Sequence, residues 1–159
     1  MNKQTMESPV GTLTLVERDG VLAGIYFEDH KPAPRDLDAI PIASTPVLRA
    51  AEAMLADYFR RPNLRANVTL PSAGTPMQRE VWEALMAIEP SQTISYAELA
   101  RRVGRPRAVR AVAQAVARNP LSIVVPCHRV VGSDGSTTGY AGGVARKEWL
   151  LAHEAVARR

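Results

Sequence analysis

The chain has 159 residues, 46% of them hydrophobic and 23% charged, a composition typical of a soluble globular protein with room for one sizeable core or two small ones. It excludes a disordered chain, a collagen-like repeat and a disulfide scaffold, because the single cysteine, Cys127, has no partner within the chain. His30, His128 and His153 make no zinc-ligand spacing with it, so neither metal nor organic cofactor is expected. No apolar run approaches the roughly 18 residues that span a bilayer, and the first ten residues lack a signal-peptide core. A cytoplasmic protein with a free thiol is the expectation.

The net charge of +4 is unevenly spread. Residues 1–74 carry 8 Lys and Arg against 9 Asp and Glu, and residues 75–159 carry 12 against 7. Between Leu99 and Ser133 lie seven arginines (101, 102, 105, 107, 110, 118 and 129) and no acid. A solvated face normally mixes both signs, so this run suggests a polyanionic partner; a basic face kept only for solubility is the bland alternative.

In chain order, Leu13 and Leu15 alternate in a strand, Asp19-Gly20 supplies a tight turn, and Val21 to Phe27 completes a β-hairpin. Prolines 32, 34 and 41 interrupt the next segment. Ser44 or Thr45 then caps a helix with Pro46 in its first turn and Val47, Ala51, Leu55 and Tyr58 at helical spacing. Leu64, Ala66, Val68 and Leu70 alternate as a third strand, and Pro71 to Gly74 reads as a linker. Residues 1–74 thus predict a small α+β domain without a chemically suggestive cluster.

Residues 75–159 read as a helical domain. Thr75 with Gln78 makes a capping box ahead of the stripe Met77, Val81, Leu85 and Ile88, and Ser95 with Glu98 repeats the device. A helix from Tyr96 to Val103 stops at Gly104, and a second from about Ala108 to Arg118 ends before Asn119-Pro120, the pattern of a helix-turn-helix. On the second helix Val109, Val112 and Val116 face inward. Arg110, Gln114, Ala117 and Arg118 face outward, while Ala111, Ala113 and Ala117 keep the helix thin enough to approach a groove. Alanines are also simply good helix formers.

Leu121 to Pro126 reads as a short buried strand delivering Cys127, followed at once by His128 and Arg129. A thiol beside an imidazole suits nucleophilic catalysis, yet strand neighbours point to opposite faces, so direct proton transfer is not assured and a bridging water is left open; an inert core cysteine is the plain alternative. Two glycine-rich stretches, 132–135 and 139–143, form a loop able to wall a pocket. A terminal helix carries Trp149, Leu150 and Leu151 and presents His153-Glu154.

Pro126-Cys127-His128-Arg129-Val130-Val131 closely resembles the active-site signature of the O6-alkylguanine-DNA alkyltransferases. The similarity runs through residues 75–159, taking in Val81-Trp82, Ser95-Tyr96, Arg110-Ala111-Val112, Asn119-Pro120, Gly139-Tyr140 and Lys147 to Glu154, and Ser8 to Leu13 looks like the family's amino-terminal hairpin. The resemblance implies an α+β fold: a ribonuclease-H-like amino-terminal domain and a carboxy-terminal domain with a winged-helix-like helix-turn-helix that enters the minor groove of double-stranded DNA. It implies irreversible, single-turnover transfer of the alkyl group from O6-alkylguanine to Cys127 after base flipping, with O4-alkylthymine left open. A non-catalytic alkylated-DNA recognition or regulatory module and a Cys-His hydrolase are the alternatives.

Carried over residue by residue, Cys127 would accept the alkyl group, with His128 as its base through a water and Glu154 orienting His128. Asn119 would support the site, and Tyr96 would contact the flipped base. Tyr140, Val130, Ser133 and Val116 would line the guanine pocket. Arg110 would fill the space of the extruded nucleotide, with Ala111, Ala113 and Gln114 beside it on the DNA-binding face. A monomer in solution is implied, with cooperative assembly on DNA left open. This chain departs from the family in having Ala113 where glycine is usual and Met77 where phenylalanine is usual, and it lacks the amino-terminal cysteines with which some members bind zinc.

Overall fold

A computed structural model describes residues 1–62, 68–137 and 139–156, with the side chain of Val156 left aside. The fold is α+β. Its first half is an antiparallel sheet, β1 (Asn2–Met6), β2 (Leu13–Arg18) and β3 (Val21–Tyr26), in that spatial order. Asp19 and Gly20 both have positive φ, as the expected hairpin turn requires. Leu13, Leu15 and Ile25 are buried on the face that meets α1 (Pro46–Arg60), which buries Leu48, Ala51, Leu55 and Tyr58. Thr45 caps α1 by accepting from the Leu48 amide.

Two strand expectations are corrected. The third strand of the sheet is β1, whose polar sequence NKQTM hides it; Val68 to Leu70 form no strand, and Leu64 and Ala66 lie outside the described residues. Nor do Leu121 to Pro126 form a strand. Leu121 makes one isolated bridge to Ile25, the Ile25 amide donates to the Pro120 carbonyl, and the chain then turns. An apolar run of six is equally at home in a buried turn, and periodicity cannot separate the two.

The second half contains α2 (Pro76–Met86), with the Thr75–Gln78 capping box complete in both directions, α3 (Tyr96–Arg102) and α4 (Val109–Ala117). Ser95 caps α3 through the Glu98 amide, while the Glu98 carboxylate turns to Arg101 and Arg102. The short strand β4 (Ile94–Ser95) pairs in parallel with β5 (Val130–Val131), which fixes the start of α3 against the segment just after Cys127. The chain closes with α5 (Val144–Val156). One cluster of buried apolar side chains joins both halves, from Leu13 and Leu55 to Leu85, Val125 and Leu150. Among the described residues no helix is long and apolar enough to cross a membrane.

Candidate active site

Cys127 opens a 3-10 turn, Cys127–Arg129, and two tight turns in succession deliver it. The Val124 amide donates to the Ser122 carbonyl at 2.9 Å around Ile123, whose φ is +74°, a γ-turn in its rare left-handed form. The Cys127 amide then donates to the Val125 carbonyl at 2.8 Å around Pro126, an inverse γ-turn. Asn119 fastens this structure: its Nδ2 donates to the Val125 carbonyl at 2.8 Å and its Oδ1 accepts from the Leu121 amide at 3.0 Å. A β-branched side chain at positive φ is strained, so the surrounding packing and hydrogen bonds must hold it there.

The thiol is 4% exposed. Burial pushes its ionisation above the usual thiol range, with Asn119, Lys147 and Tyr140 pulling in the opposite direction. Tyr96 and Tyr140 both lie within electrostatic reach of the sulfur, and burial raises both phenols, so each keeps its proton at neutral pH. The Tyr96 hydroxyl donates to the Gly139 carbonyl at 3.3 Å, bringing the expected glycine-rich loop against α3. Lys147 is fully buried, its Nζ 3.4 Å from the same carbonyl and 5.7 Å from the Tyr96 ring centre. Burial holds Lys147 below the lysine range, opposed by Cys127.

Beside the thiol lies a second buried set. Glu154 accepts from His128 Nε2 at 2.6 Å, from Arg129 Nε at 2.8 Å and Nη2 at 3.0 Å, and from the Tyr58 hydroxyl at 2.7 Å. Burial alone would raise the Glu154 carboxyl, but His128 and Arg129 overcome it and hold the group at about 2. Burial lowers His128 despite Glu154, so the imidazole is neutral at pH 7. An ionised carboxylate needs a donor, which assigns the ring proton to Nε2 and leaves Nδ1 as the basic atom. Nδ1 is buried without a protein hydrogen-bond partner, so among the described residues the thiol does not reach it directly.

The remaining candidates are placed less closely. Val130 and Val116 are buried, whereas Ser133 is exposed on the turn between Gly132 and Gly135. On α4, Arg110 and Gln114 are exposed and Ala111 and Ala113 half-buried. The arginine run needs a correction: Arg101 and Arg102 pair with Glu98, Arg105 with Glu80 and Arg129 with Glu154. Among the described residues Arg107, Arg110 and Arg118 have no carboxylate partner, and they carry the outward positive charge together with Arg101 and Arg102, which share the single carboxylate of Glu98. Sequence reasoning missed Tyr58, Lys147 and the inward role of Arg129. Among the described residues no group of three or more His, Cys, Asp or Glu could hold a metal ion.

The profile of the family described as "6-O-methylguanine DNA methyltransferase, DNA binding domain" matches residues 76–156. The chain belongs to the O6-methylguanine-DNA methyltransferase family. A methylated-DNA-protein-cysteine methyltransferase from Mycolicibacterium paratuberculosis is 41% identical over 153 residues, 95% of this chain and 90% of that relative. One of the same name from Salmonella typhimurium is 61% identical over 102 residues, 63% of this chain; the match spans only 59% of that relative's length. The crystal structure of Mycobacterium tuberculosis OGT in complex with DNA resembles this fold with a TM-score of 0.88 at 36% identity, covering 99% of this chain and 94% of that one. Cys127, His128 and Glu154 lie inside the stretch the family profile matches, whereas Tyr58 lies outside it.

Proposed function

We propose that this member of the methyltransferase family repairs DNA in the cytoplasm, moving the alkyl group of O6-alkylguanine in double-stranded DNA irreversibly onto Cys127, one group per molecule. The observation that carries the reading is a buried thiol within electrostatic reach of two protonated phenols and next in the chain to a buried, neutral imidazole whose free nitrogen is the basic one. Family membership and the likeness to a relative solved with DNA support the choice of substrate.

The sulfur attacks the alkyl carbon, the bond from that carbon to O6 breaks, and the electron pair stays on guanine. Tyr96 or Tyr140 donates a proton or hydrogen bond to the leaving base, while His128 Nδ1 takes the thiol proton through a water. An ordinary cysteine is about 3% thiolate at pH 7, so its full ionisation gains about thirtyfold, or about 2 kcal/mol, and the buried Cys127 thiol, pushed above that range, gains more. Alignment of sulfur behind the alkyl carbon is worth roughly 7 to 11 kcal/mol, so holding the extruded base matters more. The thioether product has no good leaving group, and the chain has no second cysteine to accept the carbon onward.

The division of labour is a ribonuclease-H-like domain over residues 1–74 and a domain over residues 75–159 whose winged-helix-like helix-turn-helix, α3 and α4, meets the minor groove. Arg110 fills the vacated stack, with Ala111, Ala113 and Gln114 alongside. Val116, Val130 and Ser133 join Tyr140 in the guanine pocket. The test is to incubate the protein with a duplex containing O6-methylguanine and weigh it intact. One added methyl on Cys127 with an equal molar amount of repaired DNA is expected. Binding without a mass change would replace this reading with a recognition module, and multiple turnovers would replace it with a hydrolase.

A further inference from the structure

Tyr58 belongs to α1, in the half of the chain whose sequence carries no chemical motif, yet its hydroxyl donates to Glu154 from a fully buried ring. It shares the acceptor Oε2 with His128 Nε2 and Arg129 Nη2. Its backbone is held as well: the Tyr58 carbonyl meets His153 Nε2 at 2.9 Å, and the His153 ring packs edge-on at 5.3 Å between centres. We propose that Tyr58 is a positioning residue for the transfer reaction, setting the basicity of His128 by competing with it for Glu154 Oε2. The inference rests on the reading of His128 as the proton acceptor for Cys127.

The physical argument concerns a shared charge. A carboxylate facing an imidazole N–H favours the imidazolium, and every further donor on that carboxylate disperses the charge available to do so. Arg129 neutralises Glu154 from one side and Tyr58 takes a lone pair on the other, so His128 receives what remains. The other groups in this environment are Lys147, which disfavours a charged His128, and Tyr140, which lies within electrostatic reach of both Cys127 and the Glu154 carboxylate. Burial and the carboxylate together hold the Tyr58 phenol far above its usual range, so it acts only as a donor.

Tyr58→Phe keeps the ring and removes the donor. Two measurements read it: titration of the His128 ring by NMR, and the pH profile of Cys127 alkylation by a free O6-alkylguanine base, whose acid limb reports that ring. Both are expected to move to higher pH by about one unit. A general loss of rate with neither midpoint moved would show Tyr58 to be merely structural and would overturn the proposal. An NMR shift without movement of the acid limb would instead remove His128 as the base, and with it Tyr58's influence on the reaction. If Tyr58→Phe does not fold, a fluorotyrosine at position 58, a stronger donor of the same shape, is expected to move both midpoints to lower pH, and no movement would overturn the proposal.

Discussion

Arg129 grips Glu154 with one edge of its guanidinium, Nε on Oε1 at 2.8 Å and Nη2 on Oε2 at 3.0 Å, with the pair buried between α5 and the turn that carries Cys127. Its Nη1 also reaches the Ile88 carbonyl at 2.5 Å, so one side chain ties the thiol turn to the end of α2 and to α5.

This pairing makes stability depend on acid. The Glu154 carboxyl lies at about 2 in the folded protein against an ordinary 4.5, so the unfolded chain binds the proton first as pH falls. Its contribution is present above pH 4.5 and is lost as pH falls towards 2, about 3 kcal/mol in all. His128 acts in the same direction, because its folded value lies below the ordinary 6.5 and loss begins there. Urea unfolding between pH 7 and 2.5 is expected to show a shallow decline below 6.5 that steepens below 4.5. In Glu154→Gln the steep part should flatten; an unchanged slope would dissociate acid sensitivity from this carboxylate.

How much of this was legible in the sequence depends on how local each signal is. The caps at Thr45, Thr75 and Ser95 are written within four residues of the amides they satisfy, and all three form. Cys127 and His128 are adjacent in the chain, and the inward valines of α4 follow helical spacing. Tyr58 and Glu154 stand 96 residues apart, and no short-range pattern marks a tyrosine inside an apolar stripe as a donor to a distant carboxylate. Composition alone leaves Arg129 among the outward charges, because it cannot distinguish a solvated arginine from one paired inside. The strand expected over Leu121 to Pro126 failed because isoleucine is a poor predictor of positive φ, and only the tertiary frame holds Ile123 there.

That left-handed isoleucine reverses an ordinary rule. At most positions glycine is less stable than alanine, but at φ +74° the Cβ costs on the order of 1 kcal/mol that glycine does not incur. Ile123→Ala and Ile123→Gly both lose the buried side chain and should both be destabilised by a few kcal/mol. Thermal melts are expected to rank the glycine variant above the alanine variant. The opposite ranking would mean that the turn before Cys127 is not strained.

Cys127→Ser separates chemistry from recognition. The hydroxyl is smaller and far less acidic than the thiol, so transfer from an O6-methylguanine duplex should fall below detection by intact mass. DNA affinity, which the proposed function assigns to phosphate contacts on the α3–α4 face, should stay within about threefold. Retained transfer would put the acceptor elsewhere, and a large loss of affinity would mean that the thiol also shapes the binding surface.

Arg110 stands exposed in the first turn of α4 with no carboxylate partner among the described residues, unlike Arg101, Arg102 and Arg105. Its proposed work is to occupy the gap left by a departing nucleotide, which offsets part of an unstacking cost of a few kcal/mol. A free O6-alkylguanine base needs no extrusion. Arg110→Ala should therefore slow transfer from duplex DNA by about tenfold or more while leaving reaction with the free base nearly unchanged. Because the side chain is solvated, the melting temperature should shift little. A simple phosphate contact would instead lower affinity and its salt dependence without changing the rate at saturating DNA. An equal slowing on duplex and free base would place Arg110 in neither role and tie it to the chemical step.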